Sequence, residues 1–573
     1  MPDKTYDAVI VGGGNKALLL AMYLIKYGGM SVGIFERRHE IGGCCATEEL
    51  AAPGFRGNTH ANMTLPWYYL PILRDFPEFW EYGAQWDQHL SSNGMAFRDK
   101  ENCLTLYSHK HDPDQVRSIR EIARFSEKDA DTWRRITELE KTDEFMRVQM
   151  DAIFNPADVR ATDPGIMQRQ VEVFGKILET GFNPDSAILK ASPYRVVQEW
   201  FESPEMQSMI LRAIVSFSVD VTESGHGATA LGMMLTLPFI GFNRGGTHMI
   251  AHAAHQLLSQ LGCEFHINKE VEKATIEDGT TTGIRLTDGT EIAAGQLVVS
   301  TLSPYQLIFD LIGKEHVDAQ IAKRVEILKR NFGCLMWYTL AVHEAPRYKA
   351  EVFNPDVHDC GWLGMQPDPD PMHIAKKCQM SQMNQWPPLD DYGVVVGCHS
   401  LVDPSYAPEG KHTVYTEQLG QPVTMYTEKE WLELRKKYTD ELITIWKDYA
   451  PNMTWDNVIG VDANTPYDHC RMKNLKPDGT WAGIDRASWQ VEENRPTPEL
   501  ANHRTPIKNL YATGGSWHVG CNCGASESYN CYKIIAQDMG LSKPWEQAGK
   551  EEPDSLVEEL KAVRKRVRDS VGG

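Results

Sequence analysis

The chain has 573 residues, 42% hydrophobic and 24% charged, with a formal net charge of -20. That length exceeds what one core fills, so two or more domains are expected, and the acidic total repels phosphate backbones and excludes nucleic acid as a partner. Nothing approaches the roughly 18 uninterrupted apolar residues of a membrane span. No cleavable apolar segment follows MPDKTY, so cytoplasmic residence is expected.

The first predicted unit runs strand, turn, helix, strand. Ala8-Val9-Ile10-Val11 is apolar on both faces, Lys16 to Tyr27 carries apolar residues at helical spacing, and Val32-Gly33-Ile34-Phe35 forms a second strand. Between the first strand and the helix, Gly12-x-Gly14-x-x-Ala17 is a dinucleotide fingerprint. Gly12 permits a tight turn, Gly14 lets a diphosphate approach the backbone, and Ala17 lets helix and strand pack closely. The helix N-terminus supplies free N–H groups for that diphosphate. Glu36 closes the second strand where a carboxylate accepts from a ribose 2′-hydroxyl, which argues against a 2′-phosphate and leaves FAD or NAD.

Gly42-Gly43-Cys44-Cys45-Ala46-Thr47 follows, and from Thr64 to Trp86 the chain is aromatic and proline-rich, which predicts irregular or short-helical covering. Asn102 to Ser108 reads as one strand. Ser126 to about Thr236 is mostly helical, starting at the cap-like Ser126-x-x-Asp129. After Gly245-Gly246 a helix is predicted from about Thr247 to Leu261, then strands over 264–267, 271–276, 283–286 and 297–300, with hairpin signals at Asp278-Gly279 and Asp288-Gly289. The stretch from 306 to about 500 is mixed and rich in proline and tryptophan. Near the C-terminus, Leu510-Tyr511-Ala512-Thr513-Gly514-Gly515 again brings a strand to a glycine turn, and a helix is predicted from about Ala525 to Met539. In the tail, Leu556, Leu560, Val563 and Val567 share one helical stripe, predicting a docking helix or, with Arg564, Lys565, Arg566 and Arg568, a membrane-surface helix.

These pieces together resemble the phytoene desaturase-like flavoproteins, in particular the desaturase-type carotenoid ketolase branch. The resemblance rests on the Gly12/Gly14/Ala17 turn with Glu36, Gly42-Gly43 before Thr47, Gly54-Phe55, Arg244-Gly245-Gly246, Val298 to Pro304, Tyr449 to Asn452, and the terminal Lys508 to Gly514. It implies an α/β chain: a discontinuous Rossmann-type FAD-binding domain (1–65, 241–305 and 501–545) with a mixed α+β substrate domain (66–240 and 306–500) and a helical tail (546–573). It further implies that Gly12, Gly14, Glu36, Gly42 and Gly43 contact the adenosine and diphosphate, that Val271 lies beside the adenine, and that Gly514 and Gly515 lie near the ribityl chain and flavin. No second framed G-x-G-x-x-G occurs, so a quinone, oxygen or a protein partner is expected to reoxidise the flavin.

A flavin needs orientation and a dry site more than a catalytic triad. His518 and His60 are the candidate acid–base groups, since imidazole exchanges protons near neutrality. Trp67, Tyr68, Tyr69, Trp80 and Trp86 could line a substrate tunnel or form ordinary cover. Bulky Trp517 and the Cys521-x-Cys523 pair depart from the family pattern and suggest an altered wall beside the flavin. His248, His252 and His255 share a helix face at i, i+4 and i+7, a spacing that could hold a metal, although in this context none is assigned. Covalent flavin attachment through Cys45 or a histidine is a further option. The leading expectation is an FAD-dependent oxidoreductase acting on an apolar terpene or carotenoid by hydride transfer. A limonene-dehydrogenase-like member of a heteromer and a non-catalytic prenyl-binding escort protein are the rivals.

Overall fold

The computed structural model describes residues 3–179, 185–388, 395–520 and 523–570. Lys4–Val11 is central to a seven-stranded sheet, flanked on one side by Val32–Phe35 and Glu264–His266 and on the other by Glu291–Ser300. All four run parallel, and Leu510–Ala512 adds a fifth parallel strand against residues 298–300. Thus segments far apart in sequence meet in one sheet. The Val271–Glu277 and Thr280–Leu286 hairpin completes it antiparallel. Val32 to Phe35 are all buried, as strands covered on both faces must be. Helix Asn15–Lys26 covers one face and packs with Ser526–Met539, both largely buried.

A second seven-stranded sheet runs in the order 458–464, 335–342, 412–419, 395–397, 363–366, 91–97, 102–107. Leu335–Val342 lies antiparallel to His412–Leu419, so alternate side chains serve opposite faces. Met336, Tyr338, Leu340 and Val342 pack with Trp431, Tyr438, Leu442 and Trp446 of helix Glu428–Tyr449, which starts with a Thr427/Glu430 capping box. Leu335 and Trp337 face the other way. Most of this sheet carries no two-residue alternation in hydrophobicity because both faces are covered: Ser91–Phe97, SSNGMAF, is wholly buried.

Thr64 to Trp86 forms short helical turns; the helical stretch begins with Val116–Ala123, earlier than predicted, and the next helix is capped at Ser126, whose side chain accepts from Asp129 N–H at 3.1 Å. The tail helix Asp554–Asp569 buries Leu556, Val557, Leu560, Val563 and Val567. Arg564 pairs with buried Glu140, and Arg566 lies 5.5 Å from the Trp80 ring centre. This corrects the membrane-surface reading: the apolar stripe is spent on the protein's own core. No helix among the described residues is long and apolar enough to cross a membrane.

Candidate dinucleotide site and adjoining chamber

A cleft of about 430 Å³ opens where the chain leaves the carboxyl ends of Lys4–Val11 and Glu291–Ser300. Here successive connections depart to opposite sides of the sheet, the place where such folds bind ligands. Gly12 has φ +95°, and a Cβ there would fall 2.4 Å from Thr301 Oγ1, whose hydroxyl donates to Val11 O. At Gly13 a Cβ would come within 2.9 Å of Glu36 Cβ. Its N–H instead donates to Glu36 Oε2 at 2.7 Å, while Arg38 N–H donates to Oε1 at 2.8 Å. The sequence alone does not single out Gly13, because its need for glycine comes from a side chain 23 residues on.

The structure brings Gly12, Gly14, Glu36, Gly43, Val271, Gly514 and Gly515 to this one cleft. Gly42 backs it, donating its N–H to Gly13 O at 2.8 Å, and fully buried Ala17 sits at the helix–sheet contact. Beneath the turn, Lys16 Nζ lies 2.5 Å from Glu527 Oε2 and also donates to Gly524 O. Buried Arg495 donates to the carbonyl oxygens of Ala482, Ile484 and Gly515, fixing the second glycine turn. Burial and neighbouring Arg486 lower its pKa to about 9.

The cleft wall also carries Arg37, Arg38, Lys473 and Lys476. Lys473 Nζ is buried without a hydrogen-bond partner among the described residues, and Glu40 and Glu48 stand 3.8 and 3.9 Å from it. Burial, and then Arg38, lower its pKa. A buried ammonium that makes no hydrogen bond and meets its two carboxylates only at the edge of ion-pair distance, beside glycine turns, fits an anionic dinucleotide.

Trp481 lines both this cleft and a second, largely apolar chamber of about 120 Å³. The chamber is built from the 60–69 segment, from Leu335 and Trp337 of the second sheet, and from Phe217, Ile240 and Trp362. His60 lies parallel to Trp337, ring centres 6.1 Å apart, and edge-on to His469 at 4.9 Å. Burial, reinforced by His469 and Lys473, holds the His60 pKa well below the usual imidazole range, so it is neutral. Glu417, directly opposite Trp337 in the strand pair, is the acidic residue of the lining, and burial raises its pKa to about 7. Sequence reading misses Glu417, because nothing in HTVYTEQL separates an inward acid from an outward one.

His518 lines neither the cleft nor the chamber. Its Nε2 bonds the Ala152 carbonyl at 2.7 Å, and burial lowers its pKa to about 3. Trp517 also departs from expectation: it is fully buried under the first sheet, donating to Leu500 O at 2.9 Å, so the chamber's aromatic wall comes from Trp337, Trp362 and Trp481. Tyr68 and Tyr69 line the chamber, whereas Trp67 and Trp86 are core and Trp80 is partly buried against it. Cys523 lines the chamber and Cys44 the cleft; Cys521 lies outside the described residues. Cys45 borders a separate surface cleft with His248, His252 and His255. Among the described residues no group of three His, Cys, Asp or Glu is placed to hold a metal.

Sheet, glycine cradle and adjoining chamber define a Rossmann-fold oxidoreductase. Residues 10–82 match the NAD(P)-binding Rossmann-like domain family. The chain is 27% identical to one of the limonene dehydrogenase subunits of Castellaniella defragrans, over 97% of this chain and 98% of that protein. It is 24% identical to the neurosporene-forming phytoene desaturase of Cereibacter sphaeroides, over 48% of this chain and 49% of that one. Among solved structures, wild-type putrescine oxidase bound to putrescine has the same fold, with a TM-score of 0.55 and 11% identity over 93% of this chain and 99% of that one. These two relatives in sequence are oxidoreductases, as the phytoene desaturase-like resemblance implied; prolycopene isomerases are also similar to this chain.

Proposed function

We propose that this chain is an FAD-dependent oxidoreductase that removes hydride from an apolar, isoprenoid-type hydrocarbon. The observation that carries this reading is the chamber: apolar, walled by aromatic rings, and separated from the dinucleotide cleft by the shared Trp481. In it, binding rests on burial, worth about 25 cal/mol per Å² of apolar surface. Glu36 would hold the adenosine ribose, the Gly12–Gly14 turn and the helix N-terminus the diphosphate, Val271 the adenine, and Gly514 and Gly515 the ribityl end. Bound there, the flavin supplies a two-electron hydride acceptor. The chain's own work is to keep the chamber dry, to orient the hydrocarbon between Trp337, Trp362 and Trp481, and to hold His60 neutral at its edge.

The chamber's size favours a short terpene over a carotenoid. At about 120 Å³ it is smaller than a cavity of roughly 150 Å³ that takes one benzene, so a ten-carbon terpene would need the chamber to widen and a C40 polyene far more. Similarity to the limonene dehydrogenase of Castellaniella defragrans, a protein with more than one kind of chain, supports the same choice and a heteromeric partner. An escort protein would have no use for a complete glycine cradle with its ribose carboxylate.

The test is an absorption spectrum of the purified protein followed by anaerobic mixing with limonene, other monoterpenes and phytoene. A flavin spectrum that bleaches with a monoterpene supports the reading. A colourless protein that FAD cannot reconstitute overturns it in favour of the escort class; bleaching by phytoene alone overturns the preference for a short substrate.

A further inference from the structure

Glu417 is the sole Asp or Glu among the described residues that line the chamber, and it is 7% exposed. Trp337, its cross-strand partner, and Trp362, Leu335 and Phe217 line the same chamber. Among the described residues no hydrogen-bond donor meets its carboxyl group; the charge acting on it is Arg212, on helix Pro204–Ser216. The other titratable or charged side chains facing the chamber are His60, Tyr68, Tyr69, Arg486 and Cys523. A buried carboxylate kept for structure is normally paired or hydrogen-bonded, because leaving one unsatisfied is costly. Glu417 instead stands on a rigid antiparallel strand, one residue across from Trp337, on the side that opens to the apolar space.

We propose that Glu417 is the proton acceptor of the chamber. The inference rests on the hydrocarbon-oxidising reading above and adds to it the group that completes the reaction. Two C–H bonds break when a C–C bond becomes C=C. One leaves as hydride, carrying two electrons to the flavin and then to a quinone or dioxygen. The electron pair of the other forms the new C=C, and its proton passes to the Glu417 carboxylate. A base for this step works best when its pKa lies near the working pH, and burial brings Glu417 to about 7. His60 is a much weaker base in its place.

The test compares the FAD-loaded wild type with Glu417→Gln, using limonene and phytoene as probes. Infrared difference spectra between pH 5 and pH 9, with roughly neutral midpoint expected, should show a carboxylic C=O band that titrates, shifts on adding limonene, and is missing from the variant. In anaerobic single turnovers the variant should bind the probe with unchanged affinity while its flavin reduction slows by about 10²-fold or more. A band that is absent, or indifferent to limonene, overturns the proposal. So does flavin reduction in the variant within about threefold of wild type. If neither probe reduces the wild-type flavin, the hydrocarbon-oxidising reading fails, while the infrared comparison still decides whether Glu417 exchanges a proton in contact with the chamber.

Discussion

Lys16 and Glu527 form a buried ion pair at 2.5 Å, with side-chain exposures of 5% and 0%, and it ties the first helix of the dinucleotide domain to its last. Lys16 stands within the fingerprint turn, and the partner helix is more than 500 residues away. The pair therefore couples the geometry of the cradle to the closing of the discontinuous domain. Removing one partner of such a buried pair costs about 3–5 kcal/mol. Lys16→Met should lower unfolding stability by that amount, whereas Lys16→Met with Glu527→Leu should recover most of it. Denaturant melts of wild type, both single variants and the double check this; single-variant losses that simply add in the double would show that the pair carries no coupling.

Glu36 holds two backbone N–H groups, those of Gly13 and Arg38, while lining the dinucleotide cleft. Charge-assisted hydrogen bonds of this kind contribute about 1.5–3 kcal/mol each when one partner is removed. Glu36→Ala should therefore lower unfolding stability by a few kcal/mol, measured by denaturant melts, and weaken FAD binding by about 10- to 100-fold, measured by fluorescence titration of the apoprotein. Gly13→Ala should do the same for a different reason, since its Cβ would press on Glu36. Unchanged FAD affinity in both would remove this turn from the binding site.

Much of this was legible in the sequence. A parallel strand buried on both faces leaves a continuous apolar run, and a diphosphate turn leaves glycines at fixed spacing, so the 4–36 unit and the terminal Gly514-Gly515 turn could be read directly. Of the second sheet only its edge strand, Asn102–Tyr107, could be. Its other strands, such as Ser91–Phe97 and Val395–Gly397, pair across long stretches of chain and show no two-residue period, because both faces are covered. The same reason hid Glu417 and misplaced Trp517. Which way a side chain points depends on register against Leu335–Val342 or on the turn after Gly514, and neither is encoded in local composition. His60 could be named, but its meeting with Trp337 and His469 is a product of three distant segments.

The tail helix supplies a stability test. Leu560 is 1% exposed and lies with Leu556 and Val563 on the face buried against the protein. Leu560→Asp would bury an unpaired carboxylate and should cost about 3 kcal/mol or more, read as a fall in melting temperature. Removing residues 553–573 should likewise lower the melting temperature and leave liposome flotation unchanged. Flotation abolished by that truncation, with melting unaffected, would restore the lipid-facing reading.

Glu417 also predicts how stability follows pH. Its folded pKa, about 7, lies above the ordinary glutamate value of 4.5. Between those values the folded state keeps a proton that the unfolded chain has released, so the Glu417 contribution to stability falls as pH rises through that window and is level beyond it. At about 1.4 kcal/mol per unit the loss is on the order of 3 kcal/mol. Glu417→Gln removes the ionisable group, so its stability relative to wild type should be higher at about pH 8 than at about pH 5 by a few kcal/mol. Paired denaturant melts at the two pH values measure that difference directly. A difference of zero would mean that the carboxyl group ionises as freely in the chamber as in water, and that the chamber is wet.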